Sequence, residues 1–234
     1  AREIDGETKW PNAYGDYFGE EDWYDWQDKP FDSGAKEVWY WSMKPEDAKR
    51  IATDPWVRYL EGDNPDYPVT ALQSSLGRVR NDMERMANDT CSPDTRLSDD
   101  MNGINPAKID TLNQLMLGGL PTGRVGSPLY CHVRYFDPEK RRAGIPEDVA
   151  ALVENISDDE VTLTLVNVNP VDARTVIVQG GAYAEHEIVK AYLDDQVMEV
   201  SDSKCSVRLA PGCGAQLKLS LKRFANQPVL EFPW

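Results

Sequence analysis

Two kinds of spacing divide the chain. From Lys44 to about Leu120 the apolar residues recur every three or four positions, whereas from about Tyr130 they alternate with polar ones or gather in short runs. The first spacing lines up side chains on one face of a helix and the second on one face of a strand. In TALQSSLGRVRNDMERMAND, Leu72, Leu76, Val79, Met83 and Met86 form one stripe, which predicts a helix of about five turns. Pro45 with Glu46 and Asp47 behind it, and Asp54 ahead of Pro55, mark two further helix starts. A last helix runs through NPAKIDTLNQLMLGG, with Asn105 as cap, Ile109, Leu112, Leu115 and Met116 on a face, and Gly118-Gly119 as the stop.

The second half reads as strands: YCHVRYF, VAALVENI, EVTLTLVNV, RTVIVQGG, QVMEV, CSVRLA and AQLKLSLKRF, separated by Asp-Pro, Ser-Asp-Asp, Asn-Pro, Gly-Gly, Asp-Asp and Pro-Gly. Short strands at intervals of about ten residues predict an antiparallel sandwich. In VTLTLVNV, Val161, Leu163, Leu165 and Asn167 share one face and Thr162 and Thr164 the other, so one side is core and the other half wet. Between the halves, LGGLPTGRVGSP has the glycines of a phosphate loop but neither Gly-Lys-Ser/Thr nor a following helix, and reads as a linker. The expectation is an α+β chain: an aromatic and acidic segment over 1–43, helices over 44–120, a Gly/Pro linker over 121–129 and an antiparallel sheet domain over 130–234.

Helices, a Gly/Pro connector and a C-terminal sheet region carrying DDEVTLTLVNVNPVDARTVIVQGGAYAEH resemble the C-terminal region of large carbohydrate-active enzymes. The resemblance is architectural and covers roughly the last 190 residues. It implies that the helices are the end of an α/α-barrel and that the strands form an Ig-like β-sandwich. It also implies an activity that cleaves glycosidic bonds by hydrolysis or elimination, with a saccharide substrate and a second polypeptide chain supplying what is missing here. It assigns no catalytic residue.

Charge narrows the partners. The chain holds 40 acids against 25 Lys and Arg, a net of −15, and residues 1–69 alone hold 17 acids and 8 bases. Such a balance disfavours nucleic acid and anionic membrane surfaces, and no apolar run reaches the roughly 20 residues of a membrane span. The chain begins at Ala1, which fits a matured protein or the downstream part of a longer precursor. Cys91, Cys131, Cys205 and Cys213 lack zinc spacing; Cys205–Cys213 and Cys91–Cys131 disulfides stand against four buried thiols. Disulfides and the sequons at Asn88 and Asn155 would suit a secreted or periplasmic protein.

Candidate chemistry gathers in two places. In GEEDWYDWQDKPFDSGAKEVWYW, Trp23, Trp26, Trp39 and Trp41 lie among acids, the mixture a saccharide needs for stacking and hydroxyl recognition; the same residues would equally serve as half-buried anchors. On a helix, Asp22 and Asp25 would face each other as the carboxyl pair of a glycosidase. The second place is GGAYAEHEIV. On a strand Glu185 and Glu187 would face away from the imidazole. In a loop His186 with Tyr183 would serve as acid and base of a lyase, or His186 with an acid would hold a metal, with Glu185 a further catalytic candidate and Tyr183 also a substrate contact; a hydrogen-bonded histidine at a strand end is the alternative. No metal ligand set stands out, although EGDNPDYP and RLSDDMNGIN leave room for a structural calcium ion without the EF-hand spacing.

Overall fold

The computed structural model describes residues 2–14, 24–29, 34–91, 106–107, 109–120, 129–193 and 196–234. It is a mixed α+β chain with antiparallel sheets that divides into two compact units, Ala1–Val57 and Arg58–Trp234.

The first unit opens with strands β1 (Arg2–Ile4), β2 (Glu7–Tyr14) and β3 (Tyr24–Gln27), in that order in one sheet. Asp5 and Gly6 make the β1–β2 turn with φ of 51° and 80°, the two left-handed residues of a two-residue hairpin loop. Helices α1 (Ala35–Ser42) and α2 (Pro45–Ala48) follow, and then α3 (Pro55–Leu60), whose last three residues belong to the second unit. The Asp54 carboxylate accepts the N–H groups of Trp56 and Val57 at 2.9 and 3.3 Å, so Asp54 caps α3 as its position before Pro55 predicts. Tyr40 and Trp56 are fully buried, and the indole N–H of Trp56 donates to the Tyr40 hydroxyl at 2.6 Å.

Among the described residues the second unit contains α4 (Tyr67–Ala87), α5 (Asp110–Leu117) and nine strands. Strands β6 (Val149–Ile156), β7 (Glu160–Asn167), β9 (Glu187–Leu193), β10 (Gln196–Asp202) and β12 (Gly214–Lys222) form a sheet in the order β10-β9-β12-β7-β6. Strands β4 (Val133–Asp137), β5 (Arg142–Ala143), β8 (Arg174–Gly180) and β11 (Lys204–Leu209) form the other, β11-β8-β4-β5. The two sheets lie against each other around β8, β9 and β11, an arrangement compatible with a sandwich. Period two sets the core: Val161, Leu163 and Leu165 of β7 are fully buried, while Thr162 and Thr164 face outward. Asn167 ends the buried row. Its amide donates to the carbonyls of Asp172 and Ala210 at 2.8 and 3.1 Å, and its oxygen accepts the Asn169 N–H at 3.0 Å.

Helix α5 packs on β6 and ends in a left-handed Gly118 whose added Cβ would lie 3.0 Å from Ile156. The predicted linker is tied at both ends, because the Leu120 N–H donates to the Tyr130 carbonyl at 3.1 Å; residues 121–128 fall outside the described ones. All four cysteines are free thiols, Cys131 and Cys205 buried and Cys91 and Cys213 exposed, so neither expected disulfide forms and only half of the buried-thiol alternative holds.

Asn167→Ala leaves two part-buried carbonyls and one N–H without their partner, and it is expected to cost about 1–2 kcal/mol of stability. Urea unfolding followed by far-UV circular dichroism measures the loss.

Candidate functional site

The structure separates the aromatic residues of the front segment. Trp39 is buried and meets Tyr40 edge-on at 4.9 Å, so it is a core anchor. Trp41 is 56% exposed, and Trp26 is half-buried with the Arg2 guanidinium 5.9 Å from its ring centre. Asp25 is exposed on β3, a strand, so the helical pairing with Asp22 has no helix to stand on; Asp22 and Trp23 lie outside the described residues.

Tyr183, Glu185 and His186 come together in the β8–β9 turn. At its start Gly181 has φ +82°, and a Cβ there would fall 2.3 Å from the Glu185 carboxyl carbon. Only glycine leaves that space. The Glu185 carboxylate fills it and accepts the N–H groups of Ala182 and Tyr183 at 3.2 and 2.7 Å. Around this turn other elements close. The Arg134 guanidinium of β4 donates to the Ala182 carbonyl at 2.9 Å, and the Gln179 amide donates to the Gly181 and Ala182 carbonyls at 3.2 and 3.3 Å. The Leu129 N–H donates to the Tyr183 hydroxyl at 3.1 Å. The C-terminal segment lies across the turn: the N–H groups of Asn226 and Val229 donate to the carbonyls of Glu185 and Tyr183 at 3.2 and 2.8 Å. Phe232 and Trp234, stacked 5.2 Å apart, then cover the buried Phe136 of β4.

Both histidines sit inside this assembly and both are fully buried, with ring centres 6.4 Å apart. His132 Nδ1 lies 3.0 Å from the Gly118 carbonyl, which can only accept, so His132 carries its proton on Nδ1. Phe224 donates its N–H to His186 Nδ1 at 3.1 Å, which places the His186 proton on Nε2. Burial lowers the His132 pKa from 6.5 to about 3, opposed by the Gly118 hydrogen bond. Burial also lowers that of His186, against the pull of the Glu185 charge. Both imidazoles are therefore neutral at pH 7. Burial also raises the Cys131 thiol beyond the range in which it would ionise.

Chemically this is a clasp. A general acid or base must reach a reacting atom, and here the Glu185 oxygens are spent on backbone amides while His186 has no exposed surface. Sequence reading found Tyr183, Glu185 and His186, took Gly118 only as a helix stop, and missed Arg134, Gln179 and Phe224. The Gly-Gly pair before Ala-Tyr-Ala-Glu-His was the signal for them, since it marks a close approach of backbone to another group.

A more accessible place lies on the outer face of the five-stranded sheet. Glu160, Tyr192, Gln216, Lys218 and Ser220 line an open groove of about 460 Å³. Their side chains are held across strands: Glu154 accepts from the Thr164 hydroxyl at 2.7 Å and the Gln216 amide at 2.6 Å, and Lys218 pairs with Glu160 at 2.6 Å. Among the described residues no three His, Cys, Asp or Glu side chains converge as a metal site.

A family model described as Domain of unknown function (DUF8034) matches residues 51–113, the stretch that carries α3, α4 and the start of α5. No curated protein and no solved structure matches the chain.

Two outcomes test the clasp. Gly181→Ala is expected to cost about 2 kcal/mol or more, from the strained φ and the collision with Glu185, and thermal unfolding reads it. The unfolded state, with histidine near 6.5, binds more protons than the folded state, with His132 near 3. His132 therefore contributes stability fully above about pH 6.5 that is lost as pH falls toward 3. A melting-temperature series from pH 8 to 4 should be less steep below pH 6.5 in His132→Gln than in the parent.

Proposed function

We propose that this chain is a non-catalytic, saccharide-binding part of a carbohydrate-active enzyme, with the bond-cleaving groups on a second polypeptide. In this reading α4 and α5 are the last helices of an α/α-barrel and the two sheets are an Ig-like sandwich that braces it. The observation that carries the reading is the groove around Tyr192. A sugar ring offers C–H faces to an aromatic ring and hydroxyls to amides, carboxylates and ammonium groups. Tyr192, Gln216, Glu160 and Lys218 supply that set on neighbouring strands β7, β9 and β12, with Gln216 already oriented by Glu154. The exposed face of Trp41 supports it as a further stacking surface. The clasp supports the non-catalytic half, since it assigns Glu185 and His186 to holding a turn.

Calorimetric titration with a panel of soluble oligosaccharides tests the reading. The expected result is binding to at least one glycan, weakened about five- to tenfold by Tyr192→Ala, as loss of one stacking contact worth about 1 kcal/mol requires. Absence of binding across the panel would contradict it. Turnover of a glycan by the chain alone, abolished by Glu185→Gln with the melting temperature retained, would restore the catalytic reading.

A further inference from the structure

The charges around the Tyr192 groove are closed on one another. The five strands of its sheet carry three basic residues, and each has a carboxylate beside it. Lys218 meets Glu160 at 2.6 Å, Lys190 meets Glu199 at 2.8 Å and Lys222 meets Glu187 at 3.4 Å. Register puts all three on the face of the groove: Lys218 lies opposite Tyr192, Lys190 opposite Ser220, and Lys222 two residues beyond Ser220. Glu154 has no ammonium beside it among these three, and its oxygens accept from the Thr164 hydroxyl and the Gln216 amide instead. Among the described residues of these strands, then, no ammonium is left over, and the carboxylates of the groove already hold donors. What meets a ligand is uncharged: the Tyr192 ring, the Gln216 amide and the Ser220 hydroxyl, beside ion pairs that are internally neutral.

Resting on the saccharide reading of this groove, we infer that its ligand is a neutral glycan, built of sugars without carboxylate, sulfate or ammonium groups, and that the glycosidic bond is cleaved by hydrolysis and not by elimination. A uronate could reach Lys218 only by displacing Glu160, which would leave a second carboxylate unpaired beside it, and an unpaired charge of that kind discriminates against a ligand. The net charge of −15 repels a polyanion as well. A protonated amino sugar is drawn only by the diffuse field, which salt screens. The ligand's charge then decides the reaction. Elimination removes the proton on the ring carbon beside a uronate carboxyl group, forms a C=C bond as the neighbouring C–O bond breaks, and needs that carboxyl group to make the C–H acidic. A neutral sugar has none. Hydrolysis remains, in which water gives its hydroxyl to the anomeric carbon and its proton to the departing oxygen.

The probes are tetrasaccharides titrated calorimetrically into the full chain: neutral ones of gluco, manno and galacto configuration, the uronate of each configuration, and a glucosamine tetrasaccharide. At about 0.15 M salt, at least one neutral probe is expected to bind at least about tenfold more tightly than its uronate counterpart. Raising salt to about 0.5 M should leave that binding in place and remove any binding of the glucosamine probe. Glu160→Gln frees the Lys218 ammonium and is expected to raise the uronate-to-neutral affinity ratio about threefold or more. Uronate binding as tight as neutral binding overturns the proposal, as does a ratio that Glu160→Gln leaves unchanged or neutral binding that Tyr192→Ala does not weaken. Failure of every probe to bind is a different result: it removes the saccharide reading itself, and this inference with it.

Discussion

A carboxylate that accepts two backbone N–H groups holds the β8–β9 turn closed, and several otherwise separate pieces of chain depend on that turn. Glu185 occupies the place where any residue but glycine at 181 would put a Cβ. With Glu185 there, the carbonyls of residues 181–185 point outward to Arg134, Gln179 and the C-terminal segment. Through His132 and Gly118 the same region reaches the end of α5. Where α5 ends, its backbone groups meet the sheets one by one, as burial demands, beside the packing of the helix on β6.

That join decides how the conspicuous residues are to be understood. A glutamate beside a histidine in a Gly-rich turn has the composition of an acid–base pair, but composition does not fix access. Here the carboxylate faces the backbone and the imidazole accepts from Phe224. Desolvation keeps both histidines neutral, which suits an element that must not charge inside the fold. The fold leaves other surfaces open, among them the Tyr192 groove and the apolar side of α4.

Much of the sheet region was legible because its physics is local. Val161, Leu163 and Leu165 alternate with threonines, and no tertiary contact is needed to read which side they take. The Asp54 cap was legible for the same reason. The Asp5-Gly6 pair is a hairpin signal too, but it stands in the front segment, where acids and aromatics mask the strand pattern on either side of it. Strand β9 is similarly masked, because EIVKAYL follows the histidine turn without punctuation of its own. The clasp was not legible, since its partners are carbonyls and amides from segments some 50 residues apart, identical in every sequence until the chain folds. The stripe on α4 was visible as a stripe, but periodicity reports only that a face seeks apolar company and not whether this chain provides it.

With only two histidines in the chain, the ¹⁵N resonances of both imidazoles followed by NMR from pH 8 to 4 test most directly whether the turn is a clasp. A clasp predicts two neutral rings of opposite tautomer, Nδ1–H at His132 and Nε2–H at His186, neither titrating near 6.5 while the protein stays folded. A His186 ring that titrates near 6.5 in the folded chain would mean that solvent and substrate can reach it, and Glu185 and His186 would then be working groups rather than parts of a closed turn.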